Sequence, residues 1–183
     1  MNLVYYSFIN DLDLPISCIK DKARNDYINS ISNKKRRFQS YAVWKLLECA
    51  IDANFNCDYE FFLDGNKWRE KNNKFYFSLS HSKNAVAVAI SSDEEIGVDV
   101  EYVSEKILRA EKLLLKDKDF CTMQDKVLYL TKKWVKYESK FKSNYNGKSY
   151  LKKICNNKDV FYISCNSKNK VKFIKVNDKI FLY

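Results

Sequence analysis

Two carboxylates that lie two residues apart, in Ile-Gly-Val-Asp-Val-Glu, could form a site for a divalent cation. Alternate side chains of a strand share one face, so Asp99 and Glu101 would lie together. The core would then receive the other three side chains, Ile96, Val98 and Val100. Paired carboxylate oxygens are the hard ligands that suit Mg²⁺. An edge strand with a solvated acidic face would show the same spacing.

A third carboxylate, with a lysine four residues after it, falls on a predicted long helix. Glu138 lies on the inward stripe of this helix, whose other members are Val127, Leu130, Trp134 and Phe141. A buried carboxylate is costly unless it is paired or bound to a cation, so Glu138 could be the third ligand of the cation site. Lys142 could hold an anion beside it. The alternative is an ordinary surface Glu–Lys pair, which contributes little to helix stability.

The single histidine of the chain lies between two serines in Phe-Ser-Leu-Ser-His-Ser, just after a predicted strand. Hydroxyls, backbone N–H groups and an imidazole in one turn would form a cradle for a phosphate, to which Ser80 and His81 would contribute. The other interpretation is a hairpin turn whose serine and histidine side chains satisfy local hydrogen bonds.

The elements that must position these groups follow from the hydrophobic pattern. The first half is predicted to hold helices from Asp21 to about Ile31 and at Lys34–Ala53, a turn at Asp64-Gly65-Asn66, and strands at Met1–Ile9, Tyr59–Leu63, Phe75–Leu79 and Ala85–Ser91. The second half is predicted to hold helices near Glu105–Leu115 and from about Gln124 to Lys142, and strands at Ile96–Tyr102, Val160–Cys165, Val171–Val176 and Lys179–Leu182. Each half therefore has one long helix and a small, mostly antiparallel sheet. The predicted class is α+β, with a break around Ser92–Glu95.

Composition and charge narrow the class of partner. The 183 residues are 46% hydrophobic, which excludes a disordered chain. Lys and Arg number 33 and Asp and Glu 23, so the formal charge of +10 favours nucleic acid, a phosphorylated ligand, an acidic protein or a lipid surface. No apolar run approaches the roughly 20 residues of a membrane span, and the N-terminal segment lacks the basic start of a signal peptide. Six cysteines without a Cys-x-x-Cys pair favour reduced thiols and a cytoplasmic protein.

In their order along the chain, the three motifs resemble those of the Sfp-type 4′-phosphopantetheinyl transferases. Phe-Ser-Leu-Ser-His-Ser, Ile-Gly-Val-Asp-Val-Glu and Trp-Val-Lys-Tyr-Glu-Ser-Lys-Phe-Lys are similar to F-N-L-S-H-S, (I/V)-G-(I/V)-D-(I/V)-E and W-x-x-K-E-(A/S)-x-x-K of that family, over residues 77–142. Weaker similarity covers Lys34–Arg37, Gly65-Asn66-Lys67 and Asn146-Gly147-Lys148. The chain departs from the family where Trp68, Ser78 and Tyr137 replace Pro, Asn and the usual Lys.

The resemblance implies a pseudo-twofold α+β fold with lobes 1–93 and 94–183, each a long helix on a small, mostly antiparallel sheet, and coenzyme A in the cleft between them. The implied reaction moves the 4′-phosphopantetheine group of coenzyme A onto a serine of an apo acyl or peptidyl carrier protein and releases adenosine 3′,5′-bisphosphate. Asp99, Glu101 and Glu138 would bind Mg²⁺, with Mn²⁺ as an alternative. Glu138 would take the serine proton, and Lys142 would stabilise the leaving bisphosphate.

The resemblance also implies which groups would hold coenzyme A. Ser80 and His81 would bind the pyrophosphate and the 3′-phosphate, and Arg36 or Arg37 with Lys67 would bind the nucleotide end. A chain of charge +10 suits both polyanionic coenzyme A and an acidic carrier domain. By analogy with two-lobed members of the family, we expect a monomer.

A basic nucleic-acid-binding protein or a Mg²⁺-dependent nuclease is the competing interpretation. Exposed Tyr or Phe could stack on bases beside the basic residues Lys132, Lys133, Lys152 and Lys153. A nuclease would also use clustered carboxylates and a lysine. However, most aromatic residues fall at strand or helix core spacing, and a nuclease gives no reason for the Ser-His-Ser motif ahead of the acidic strand. We therefore expect neither nucleic acid nor a membrane as the partner.

Overall fold

The computed structural model describes residues 1–9, 19–115 and 120–181, and it confirms the α+β class. The helices are α1 (Lys22–Asn29), α2 (Lys34–Asn54), α3 (Glu111–Leu114) and α4 (Met123–Ser143), with 3₁₀ turns at Glu105–Ala110 and Asp178–Phe181. The strands are β1 (Asn2–Phe8), β2 (Phe61–Asp64), β3 (Lys67–Glu70), β4 (Tyr76–Ser82), β5 (Ala85–Ser91), β6 (Gly97–Tyr102), β7 (Lys148–Asn156), β8 (Asp159–Ser167) and β9 (Lys172–Lys175). Both long helices are confirmed. Within the described ranges, no helix is long and apolar enough to cross a bilayer.

Two sheets lie face to face between the two long helices. The first sheet has the strand order β4-β5-β1-β9 and the second has the order β6-β8-β7, while β2 and β3 form a separate hairpin. One face of the first sheet packs against α2 in an apolar core that includes Trp44 and Phe77. Its other face packs through Val4 against Val98 and Ile163 of the second sheet. Helix α4 covers the remaining face of the second sheet, so the layers run helix, sheet, sheet, helix.

Small polar side chains form part of the buried face of helix α4. Thr131, Ser139 and Ser143 are fully buried along its inward face. The helix approaches β6 closely at Gly97, where an added Cβ would overlap the backbone oxygen of Ser139. Phe141, which helical spacing assigned to the inward stripe, is 76% exposed, so that assignment is wrong. Serines four residues apart take the inward positions because they allow an approach that a phenylalanine would block.

Strand β9 comes from the second half of the chain but belongs to the sheet formed by the first half. β9 pairs with β1 in parallel, and Phe181, which follows it, is buried in the core between α2 and the first sheet. The division at 93/94 therefore does not separate two independent sheets. The strand predicted at Lys179–Leu182 is wrong for residues 179–181, which belong to a 3₁₀ turn, and Leu182 lies outside the described residues. Strands β3 and β7 were not predicted from the sequence.

Candidate functional site

The edge strands of the two sheets, β4 and β6, are joined by three serine side chains, which we term the serine ladder. The hydroxyls of Ser78, Ser80 and Ser82 project from one face of β4, and each accepts a hydrogen bond of 3.1 Å from a backbone N–H group of β6, those of Val98, Val100 and Tyr102. Strand β6 pairs with β8 along its other edge. The ladder thus satisfies N–H groups that an edge strand would otherwise leave unpaired.

The three sequence motifs meet at Asp99. Its Oδ1 accepts a hydrogen bond from Ser80 Oγ at 2.8 Å and another, within an ion pair, from Lys142 Nζ at 2.7 Å. Asp99 is 6% exposed, and its Oδ2 is buried with no hydrogen-bond partner in the described part of the chain. Burial raises the pKa of Asp99, although Lys142 and Ser80 oppose that rise. A buried carboxylate oxygen without a partner is a group that a cation would satisfy.

The other two predicted metal ligands lie within electrostatic reach of Asp99. Glu101 accepts a hydrogen bond from Ser82 Oγ at 2.9 Å, and burial, together with the charge of Asp99, raises its pKa. Glu138 is partly buried on α4, and burial and Asp99 also raise its pKa. Among the residues that the structure describes, no group of three or more His, Cys, Asp or Glu side chains is arranged to hold a metal ion. The three-carboxylate site stays a prediction, and Asp99 Oδ2 is the atom that best fits it.

The histidine lies within a strand, not in a turn. Residues 76–82 form β4, and the turn to β5 follows at 83–84, so the predicted Ser-His turn is wrong. Because adjacent residues of a strand point to opposite faces, Ser80 faces β6 whereas His81 faces the other way. A single phosphate cradle built from both side chains would therefore need a ligand that reaches around the strand.

Three cations act electrostatically on His81. Although its side chain reaches solvent, desolvation by the surrounding protein and the charges of Lys142, Arg36 and Arg24 lower its pKa. Arg24 is buried, and its Nη2 donates a hydrogen bond to Ser40 Oγ at 2.7 Å. Arg36 is exposed in the first turn of α2. This arrangement would attract an anion to the surface around the histidine.

The remaining predicted coenzyme A ligands lie on different elements. Lys67, on β3, donates a hydrogen bond from Nζ to the backbone carbonyl of Lys142 at 2.9 Å, and burial lowers its pKa. Arg37 is half-buried in the first turn of α2, and its Nε has no hydrogen-bond partner among the described residues. The structure thus brings Lys67 to Lys142, and the nucleotide-binding roles of Lys67, Arg36 and Arg37 stay predictions.

A cleft of about 880 Å³ opens beside the C-terminal end of α4. Its volume falls in the range of small-molecule sites. Lys67 and Lys142 line it, together with aromatic and apolar side chains from α4, β3 and β4 that include Trp68, Phe77, Leu79, Tyr137 and Phe141. Because Lys142 also binds Asp99, it connects this cleft to the carboxylates.

No family model matches the chain, and no curated protein matches it. Three features of the site were not predicted from the sequence. Ser82 contacts Glu101, and Ser78 completes the ladder; serines at alternate positions of a strand were the available signal. Arg24, a lone arginine on a polar helix, carried no such signal.

Proposed function

We propose that this protein catalyses the Mg²⁺-dependent transfer of the 4′-phosphopantetheine group from coenzyme A to a serine of an apo acyl or peptidyl carrier protein. The supporting observation is the meeting of three motifs at one carboxylate. Ser80 of the first motif and Lys142 of the third both contact Oδ1 of Asp99, in the second, at 2.8 and 2.7 Å. The resemblance lies in the sequence alone, whereas this meeting is a property of the folded chain.

The metal ion would be held by Asp99, Glu101 and Glu138. Asp99 would offer Oδ2, which has no hydrogen-bond partner in the described ranges. Both glutamates lie close enough to Asp99 for its charge to raise their pKa values. When bound, Mg²⁺ would neutralise charge on the pyrophosphate oxygens of coenzyme A.

The side chains around Asp99 would handle the charge and the proton. The transfer forms a bond between the serine oxygen and the phosphorus of the phosphopantetheine group and breaks the pyrophosphate bond, so that adenosine 3′,5′-bisphosphate leaves. Lys142, fixed by its ion pair with Asp99, would stabilise the leaving phosphate without first having to reorganise. Glu138, a partly buried carboxylate on α4, would accept the serine proton as the general base.

Intact-mass measurement of a panel of apo carrier proteins tests the proposal. With coenzyme A and Mg²⁺, the wild-type protein should add the mass of one phosphopantetheine group to at least one carrier, and Asp99→Asn should abolish that gain. Glu60→Gln is the matched control, because Glu60 is an exposed carboxylate that pairs with Lys71 away from the site. It should leave transfer unchanged. No mass gain on any carrier, at saturating coenzyme A and Mg²⁺, would overturn the proposal.

A further inference from the structure

We infer that the serine ladder positions the two carboxylates of β6, with Ser80 acting on Asp99 and Ser82 acting on Glu101. The inference rests on the proposed function and gives Ser82 a role that the three motifs did not assign. Each of these two hydroxyls accepts a backbone N–H from β6 and donates to a carboxylate oxygen of the same strand.

The paired contacts restrict each carboxylate. Because the hydroxyl oxygen receives an N–H group, its own hydrogen is directed to the carboxylate, at 2.8 Å for Asp99 and 2.9 Å for Glu101. One carboxylate oxygen is therefore turned toward the ladder and the other is left for a ligand. For Asp99 the second oxygen is the buried Oδ2, which has no partner in the described part of the chain. Hydrogen bonds of this kind orient metal ligands in proteins.

The chain contains a natural control for this role. Ser78 accepts the N–H of Val98 with the same 3.1 Å geometry, but the residue before Val98 is Gly97, which has no side chain to position. Ser78→Ala therefore removes a contact between the sheets without removing a hydroxyl that holds a carboxylate. Ser82→Ala removes the equivalent contact and also the hydroxyl that holds Glu101. Ser82→Thr keeps a hydroxyl at that position.

The inference is tested by measuring how tightly the protein binds Mn²⁺. Electron paramagnetic resonance reports the binding, and neither coenzyme A nor a carrier protein is present. Ser82→Ala should weaken Mn²⁺ binding about tenfold, which is the usual effect of removing a group that orients a metal ligand. Ser78→Ala and Ser82→Thr should stay close to the wild type. Thermal unfolding should show that both alanine variants lose stability, because each leaves one backbone N–H without its hydroxyl acceptor.

Equal Mn²⁺ affinity in Ser78→Ala and Ser82→Ala, or no Mn²⁺ binding by the wild type, would overturn the inference. The proposed function fails separately. A wild-type protein that binds Mn²⁺ but modifies no carrier would contradict the transfer reaction, and the comparison of serine variants would still be decisive. Conversely, an active transferase whose two alanine variants bind Mn²⁺ alike would reduce the ladder to a contact between the sheets.

Discussion

The two long helices have the same length, 21 residues, but the contacts nearest the site differ in chemistry. On α2, the fully buried Trp44 meets the rings of Phe61, Trp68 and Phe77 edge to face. Near its C-terminal end, α4 instead contacts the second sheet through hydrogen bonds of small side chains, such as Ser139 Oγ to Ser164 Oγ at 3.0 Å.

The α2 interface mainly contributes stability, whereas the contacts of α4 position polar side chains. Apolar burial is strong but non-directional, so the α2 interface holds the fold together without fixing the angle of any polar group. Hydrogen bonds between small side chains have defined geometry, and they let α4 approach β6 closely at Gly97. As a result, Lys142 reaches Asp99 across the second interface. The predicted chemistry lies where the packing is polar.

The largest expected effect is on the apolar side. Trp44→Ala should lower the free energy of unfolding by about 3–5 kcal/mol, because it removes a fully buried indole and leaves a cavity among the neighbouring rings. Phe141→Ala on α4 should change it by less than about 0.5 kcal/mol, because that ring is 76% exposed. Urea unfolding of the two variants checks the contrast, and equal losses would contradict it.

On the polar side, the close approach of α4 is the most sensitive feature. Gly97→Ala places a Cβ against the backbone oxygen of Ser139 and 2.6 Å from the backbone nitrogen of Ser143. Helix or strand must shift, at a cost of about 1–3 kcal/mol, and the contact between Lys142 and Asp99 should loosen. The variant should unfold at a lower urea concentration than the wild type, and it should modify carriers more slowly. A variant with wild-type stability would show that the space at Gly97 is not needed.

Glu94 provides a polar contact that acts on stability instead of chemistry. It is 7% exposed and accepts hydrogen bonds from Ser167 Oγ at 3.1 Å and from the backbone N–H of Lys168 at 3.0 Å. Although burial opposes ionisation, these donors and Asn2 lower the pKa of Glu94. Glu94→Gln should therefore cost about 2 kcal/mol near neutral pH.

The pH dependence of that cost follows from the direction of the shift. A carboxylate whose folded pKa lies below the unfolded value, about 4.3, stabilises the fold fully above that value. The contribution is lost as the pH falls through the folded pKa of Glu94. Urea unfolding of wild type and Glu94→Gln at decreasing pH should therefore show their stabilities converging in acid. A difference that stays constant with pH would argue against this origin.

The smallest expected effect concerns how the two helices begin. Helix α2 has no acid in its first turn, which carries four cations including Lys35, whereas α4 has Asp125 beside its cap Thr122. Cations are unfavourable at the positive end of the helix dipole. Lys35→Glu should raise the stability by roughly 0.3–1 kcal/mol at low salt. Thermal unfolding at low and high salt checks this, since screening should remove the gain.

Strong local periodicity explains what could be predicted of the fold. Helices α2 and α4 and strands β5 and β6 have clear patterns and were found close to their observed bounds. Strand β7 was missed because, of its nine residues, only Ile154 is buried, which leaves no alternation to detect. The segment at 179–181 was misassigned because two adjacent apolar residues, Ile180 and Phe181, do not distinguish a strand from a 3₁₀ turn. The pairing of β9 with β1 has no local signal at all.

The candidate site, like the fold, was predicted only in part. The alternation rule correctly placed Ile96, Val98 and Val100 in the core, and Asp99 on the opposite face of β6. The same rule would have separated Ser80 from His81, but the predicted end of the strand at Leu79 left both in a turn. Because the predicted strand ended three residues too early, the serine ladder was not predicted.

The pairing of β9 with β1 affects how the chain folds during its synthesis. While the ribosome synthesises the first half, β1 lacks its parallel neighbour and the core under α2 lacks Phe181. The nascent chain must hold this exposed strand edge in a non-aggregating state until β9 has emerged. The early half thus reaches its final packing only when the late half arrives.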